Sequence, residues 1–194
     1  MRKYLVLALV LSLVGCNDSK PENRIILSGL YFESKEAEAI TKEGVRLSTS
    51  GDVEAGLEKY FEALEIEPNN TTILGNIGLS KMILLEYRSA EDYFQKALIL
   101  SDSTDAIAAI NMGLMYYELE KYDKGIAILD HIIEVEDDPL ALEAAIINRL
   151  FNLIENGDCE RAIRDLNYVN QHLEEYPNSV PNIKKLNRRI KKCR

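Results

Sequence analysis

Small residues return along this chain at one interval. Gly44, Gly78 and Gly113 are 34 and 35 residues apart, and Gly56, Ala90, Gly125 and Ala162 follow one another at 34, 35 and 37. A self-similar period near 34 residues accommodates two helices and a turn, and marks a chain built by stacking such units. The small side chains have a physical reason. Two antiparallel helices approach closely only where one of them presents little beyond its backbone. Glycine inside a helix costs about 1 kcal/mol relative to alanine, so its return at one period argues for close crossings. No segment of strand length alternates with period two, and the chain reads as an all-α solenoid. Solenoids of this kind seldom do chemistry themselves; they hold something on a curved face.

The units are delimited by turn signals. Gly51-Asp52 separates two helices over 34–48 and 53–66, and Pro68-Asn69-Asn70 stops the second. Pairs follow at 71–85 and 87–100, at 105–119 and 122–135, and at 140–156 and 158–175, with Asp137-Asp138-Pro139 and Pro177 as further breaks. Tyr60, Phe94, Tyr116 and Tyr122 recur with the fold and read as core, not as a stacking platform for bases. The stretch Gly51-Asp52-Val53-Glu54-Ala55-Gly56 with Tyr60, Ala63 and Pro68, then Gly78, Tyr87, Ala90, Phe94 and Ala97, resembles the tetratricopeptide repeat family. Gly113, Tyr116, Tyr122 and Gly125, and then Gly157-Asp158, Ala162 and Leu166, continue the pattern. The resemblance covers 34–177 and implies a right-handed α-solenoid of four helix-turn-helix repeats, about 37–70, 71–104, 106–139 and 143–176, with a C-terminal capping helix. The fourth repeat departs from the pattern, with Leu150 where the first-helix glycine is expected.

The two ends carry different signals. Arg2-Lys3 precede an apolar run from Tyr4 to Val14 that ends in Leu13-Val14-Gly15-Cys16. A basic start, a short apolar core and a small residue before the cut describe a secretory signal, too short for a stable span. The last four residues resemble a bacterial lipobox, which makes 1–15 a lipoprotein signal peptide, Cys16 the lipid-bearing residue and 16–33 a tether. Ile25–Phe32 in that tether either packs as a short helix on the first repeat or docks in the groove. Removal of Arg2 and Lys3 with the signal takes the formal charge from −9 to −11. Seven of the remaining positive charges lie in 178–194, which holds no acid. The acidic body excludes a nucleic-acid partner, whose phosphates it repels. Ile183, Leu186 and Ile190 give the basic tail a helical apolar stripe, suited to covering the last repeat.

No catalytic constellation is legible. There is no glycine-rich phosphate loop, no G-x-S-x-G elbow and no Cys–His pair, and no enzyme or cofactor is expected. His131 and His172 lack partners at metal-ligand spacing, and Glu134–Asp138 lacks the ladder of a calcium loop, so no metal is expected. The first helix of each repeat lines the concave face in the resembled family, where an Asn bonds a bound peptide's backbone. Asn76, Asn111 and Asn148 stand at that register, with Lys42 in the first repeat. An amide offers both donor and acceptor to an extended peptide unit. Around them, Leu79, Met82 and Ile83, then Ile110, Leu114 and Tyr117, then Ile147, Phe151 and Ile154 form an apolar strip expected to face the groove. The Lys/Arg clamp of the chaperone-binding branch is missing. Cys159 begins a helix of the fourth repeat and Cys193 ends the cap, so an antiparallel cap brings them toward bonding distance in an oxidising compartment; two free thiols are the alternative.

These features describe a membrane-anchored scaffold of a bacterial cell envelope that binds an unidentified protein, as a peptide or helix, in its groove. An assembly or piloting lipoprotein for an outer-membrane machine, and a self-associating structural lipoprotein forming a homodimer, are the alternatives. Asn17 follows Cys16 directly and Asp18 only after it, so inner-membrane retention is not signalled and the outer membrane is expected. Mass spectrometry of the mature protein should show an N-terminus at Cys16 bearing acyl mass, and Cys16→Ala should leave the protein in the soluble fraction. A different N-terminus, or a fully membrane-bound variant, rejects lipidation.

Overall fold

The computed structural model describes residues 8–10, 24–26, 32–172 and 180–193. Eight helices over 35–171 form four antiparallel pairs: α1 (Lys35–Thr49) with α2 (Val53–Ile66), α3 (Thr71–Ile83) with α4 (Tyr87–Leu100), α5 (Ala106–Glu118) with α6 (Tyr122–Val135), and α7 (Pro139–Asn156) with α8 (Cys159–Gln171). A ninth, α9 (Val180–Arg189), runs into a 3-10 turn at Ile190–Cys193. Two three-residue strands, β1 (Ala8–Val10) and β2 (Arg24–Ile26), pair with each other. The sequence reading contains no strand and offers a helix from Ile25. Val10, Ile25 and Ile26 are β-branched, which favours extended backbone, and three residues are too few for periodicity to register.

Most helices begin where a short polar side chain reaches a free N–H. Ser34, Asp52, Asn70, Asp138 and Asp158 each accept from a backbone N–H of the first turn. Asp105 does the same for Ile107 and Ala108. In α7 the cap is followed by Pro139, whose missing N–H costs nothing at a position with no helical partner.

The four intra-pair turns share one geometry. Gly51, Leu85, Glu120 and Gly157 all have positive φ (99°, 62°, 58° and 80°). The next residue donates its N–H to the carbonyl five positions back: Asp52 to Leu47 (3.1 Å), Glu86 to Lys81 (2.8 Å), Lys121 to Tyr116 (2.8 Å) and Asp158 to Leu153 (3.0 Å). This is the Schellman arrangement, which satisfies the last carbonyls of the first helix and turns the chain back. Two of the four turns therefore hold a side-chain-bearing residue where glycine is least strained.

The helices form two compact units, Ile25–Asn111 and Met112–Arg194, divided within α5. In the first, α1 packs on α2, α2 on α3 and α3 on α4. Its crossings are set by glycine. A Cβ on Gly44 would stand 2.7 Å from the Tyr60 ring, and one on Gly56 would stand 2.8 Å from the Gly44 carbonyl oxygen and strike the Ser48 hydroxyl. On Gly78 it would stand 2.6 Å from the Phe94 ring. In the second unit, α6 packs on α7, α7 on α8, and α9 on both α7 and α8. There Gly113 lies against Leu129, with 2.7 Å for an added Cβ, and Leu150 and Leu166 share the core with Ile183, Leu186 and Ile190 from the C-terminal helix.

Leu85→Gly should raise stability by about 0.5–1 kcal/mol, because the left-handed conformation costs a branched residue about 1–2 kcal/mol and Leu85, 69% exposed, gives up little burial. Gly56→Ala should lower it by about 1–3 kcal/mol through overpacking against backbone. Urea denaturation of the two variants checks both signs.

Candidate functional site

The candidate binding residues stand on the first helices of successive pairs, α3, α5 and α7. On α3, Asn76, Leu79 and Ile83 are spaced i, i+3 and i+7 and share one face. α3 is apolar around its circumference, and every residue from Ile73 to Ser80 is buried. Leu79 and Met82 are therefore packed interior, and Ile83 is half-buried. Ile110 and Asn111 of α5 are buried as well.

Two amide atoms in this first unit stand out. Nδ2 of Asn76 and Oδ1 of Asn111 have no hydrogen-bond partner among the described residues, in side chains 5% and 2% exposed. A buried polar atom left unpaired costs about 1–3 kcal/mol. One of these atoms is a donor and the other an acceptor.

The second unit also holds a buried amide oxygen without a partner among the described residues, Oδ1 of Asn152, but its amide N–H groups are bonded within the protein. Asn148 donates Nδ2 to the Ala144 carbonyl (2.8 Å), one turn back in α7. Asn152, fully buried, donates to the carbonyls of Asn148 (2.9 Å) and Gly113 (3.4 Å), tying α7 to α5, and sits where a side chain on Gly125 would collide with it. Asn152 escapes sequence reasoning; its only signal is a polar residue four positions after Asn148 in an otherwise apolar run.

The sequence pattern places Leu114 and Phe151 on an open groove, yet each is only 2% exposed. Ile147 and Ile154 are buried too. For Phe151 and Ile154 the cover is α9. Its Arg189 donates Nη1 to the Tyr117 hydroxyl (2.6 Å) and to Oε1 of Glu155 (3.0 Å), and its guanidinium carbon lies 5.6 Å from the Phe151 ring centre. Tyr117 in turn packs on Phe151 and Tyr122, each at 5.8 Å between ring centres. Burial pushes the Tyr117 hydroxyl above its ordinary pKa, against the neighbouring Arg189 charge, which lowers it. A charge placed at Leu114 or Phe151 therefore breaks the fold instead of testing binding alone, because it enters a filled interior.

The covering helix is fixed covalently. Cys193, at the end of the 3-10 turn, is disulfide-bonded to Cys159, the first residue of α8, with the Cα atoms 5.3 Å apart and 34 positions between them in sequence. Beside it, a charge network binds three helices. Arg149 of α7 grips Asp165 of α8 with two bonds of 2.8 Å and Asp130 of α6 with a third of 2.8 Å, and Arg161 also reaches Asp130. Burial works against the Arg149 charge, and the two aspartates outweigh it, raising its pKa above the usual arginine value. Neither Arg149 nor Arg189 is singled out by sequence, since both look like ordinary surface cations until their partners are brought in from other helices.

Among the described residues no group of His, Cys, Asp and Glu is placed to hold a metal ion. His131 is exposed, and Nδ1 of His172 lies 2.7 Å from the Tyr168 carbonyl. Tyr60, Phe94 and Tyr116 are core residues, whereas Tyr122 is only half-buried. Cys16 and its neighbours lie outside the described residues.

With this geometry in view, the chain can be set beside known proteins. A tetratricopeptide repeat protein from Parabacteroides merdae superposes with a TM-score of 0.65 at 21% identity, over 82% of this chain and 61% of that one. MamA from Desulfovibrio magneticus RS-1 gives 0.60 at 18% identity, over 84% and 95%. The fold is a helical solenoid of the tetratricopeptide type. In sequence the chain is similar to mouse neutrophil cytosol factor 2, 34% identical over 91 residues, which is 47% of this chain. It spans about a sixth of the length of the curated relatives it matches, 17% and 16%. No protein-family model matches it.

Arg149→Ala should cost about 3 kcal/mol, because Asp165 is left half-buried without its cation and Asp130 keeps only Arg161. Arg149→Met combined with Asp165→Leu should recover most of that loss. Urea midpoints of the single and double variants decide between a specifying network and an idle one.

Proposed function

We propose that this protein is a membrane-anchored protein–protein interaction scaffold of a bacterial envelope, taking a peptide or helix on the inner faces of its first helices. The observation that carries this reading is the pair of unpartnered buried amide atoms, Asn76 Nδ2 and Asn111 Oδ1. Both atoms are closed to solvent, so a peptide backbone, which presents the complementary acceptor and donor, reaches them when the side chains packed over them shift aside, and then removes a cost that the unbound protein bears. The tetratricopeptide-type solenoid is a fold whose extended inner surfaces suit such a ligand. The Cys159–Cys193 bond supports export, because disulfides persist in oxidising compartments. Anchoring rests on Leu13-Val14-Gly15-Cys16, and among the described residues no helix is long and apolar enough to cross a membrane. A diacyl anchor at Cys16 supplies stable attachment where one chain alone holds marginally.

Photocrosslinking from Ile83 in intact cells, followed by mass spectrometry, identifies the partner. Asn76→Leu and Asn111→Leu should leave thermal stability unchanged or raised, since each removes an unpaired buried polar atom. Partner capture should fall by about 1–3 kcal/mol for each substitution. Variants that lose stability while capturing the partner normally would assign these amides to the fold and move the site elsewhere.

A further inference from the structure

An end cover for a solenoid needs an apolar stripe and little more. α9 and the 3-10 turn that continues it have that stripe in Ile183, Leu186 and Ile190, all buried. It has in addition Arg189, which reaches the Tyr117 hydroxyl, the Glu155 carboxylate and the Phe151 ring at once. Those three groups belong to α5 and α7, the first helices of their pairs. Arg189 therefore reads the surface as a ligand does, by a charged bond, a hydrogen bond and a cation–π contact. The same helix ends in the Cys159–Cys193 bond, whose two cysteines are half-buried.

We propose that α9 is the resident ligand of a helix-binding face in the second unit, with the Cys159–Cys193 bond as its clasp. Once the clasp opens, the face takes in trans a helix of the same chemistry: apolar residues at i, i+3 and i+7 with arginine at i+6. This rests on reading the first helices as a binding surface, and it names the partner class that the second unit accepts. Opening is a two-electron exchange with a dithiol reductant. One of its thiolates attacks a sulfur of the bond, and the displaced cysteine leaves as a thiolate and takes up a proton. The second thiol of the reductant then resolves the mixed disulfide, so the reductant departs oxidised and Cys159 and Cys193 remain as thiols. The opened helix stays tethered at an effective concentration of about millimolar, so a helix in trans prevails when the contact in cis is weakened.

The test uses the full mature chain and a labelled peptide of residues 178–194 carrying Cys193→Ser. The chain with Cys159→Ser, Cys193→Ser and Arg189→Glu, in which Glu155 repels the resident helix, should bind this peptide. The oxidised wild-type chain should bind it at least tenfold more weakly. A peptide that also carries Arg189→Glu should lose at least tenfold on the opened chain. Equal binding to the oxidised chain, or no binding to an opened chain that keeps its helical circular dichroism, overturns the proposal. Should the opened variant lose helicity, hydrogen exchange of the wild-type chain decides. Reduction should speed exchange of the 183–190 amides at least tenfold with α1–α4 unchanged, and no change rejects the clasp. Partner capture at Ile83 that persists while the peptide fails removes this inference and leaves the scaffold reading standing.

Discussion

Close approach at the helix crossings is the constraint on which the rest of this structure depends. In three successive pairs a glycine of the first helix meets the residue sixteen positions on: Gly44 the Tyr60 ring, Gly78 the Phe94 ring and Gly113 the Leu129 side chain. With no side chain on one partner, a large side chain on the other fills the gap and the two backbones come together. The turn geometry serves the same end. A left-handed residue between the helices of every pair reverses the chain in the fewest residues, and the structure accepts that strain at Leu85 and Glu120 as well as using glycine at Gly51 and Gly157.

The fourth pair solves the crossing by other means. Leu150 replaces the glycine and is fully buried, so the space between helices is filled from both sides and glycine no longer sets the approach. Directional interactions take over there. Arg149 is held by Asp130 and Asp165, Asn152 bridges to the Gly113 carbonyl, and Cys159 is bonded to Cys193. Charged and polar contacts of this kind add little net stability compared with apolar packing, yet breaking one of them is expensive. They specify which helix lies against which, and in the second unit they fix α9 where its arginine covers Tyr117 and Phe151.

The amides on the first helices show the same economy of polar groups divided between two uses. Asn148 and the Nδ2 of Asn152 bond inside the protein, to Ala144 and to Gly113 and Asn148, while Oδ1 of Asn152 has no partner among the described residues. Asn76 and Asn111 keep an atom unspent in a buried setting. A satisfied amide rigidifies a crossing, whereas an unsatisfied one is a cost that a ligand can remove. The two units are thus built on one repeat but are equipped differently, the second carrying its own C-terminal helix on residues of α5 and α7.

The sequence by itself determined the repeat. The period of its small residues, the turn at Gly51-Asp52 and the breaks at Pro68-Asn69-Asn70 and Asp137-Asp138-Pro139 are local signals, because each acts within a few residues through hydrogen bonding or fixed backbone angles. The apolar stripe Ile183, Leu186 and Ile190 is legible for the same reason, since helical spacing alone puts the three on one face. Only the tertiary structure decided what those elements meet. Whether Leu114 and Phe151 are open anchors or filled interior depends on which helix lands on them. That Arg149 is a buried tie and Arg189 an intramolecular ligand depends on Asp130, Asp165, Tyr117 and Glu155, which lie 16 to 72 positions away. Partnership at that range leaves no local pattern, because it is fixed by the packing of whole helices and not by the backbone preferences of any one residue.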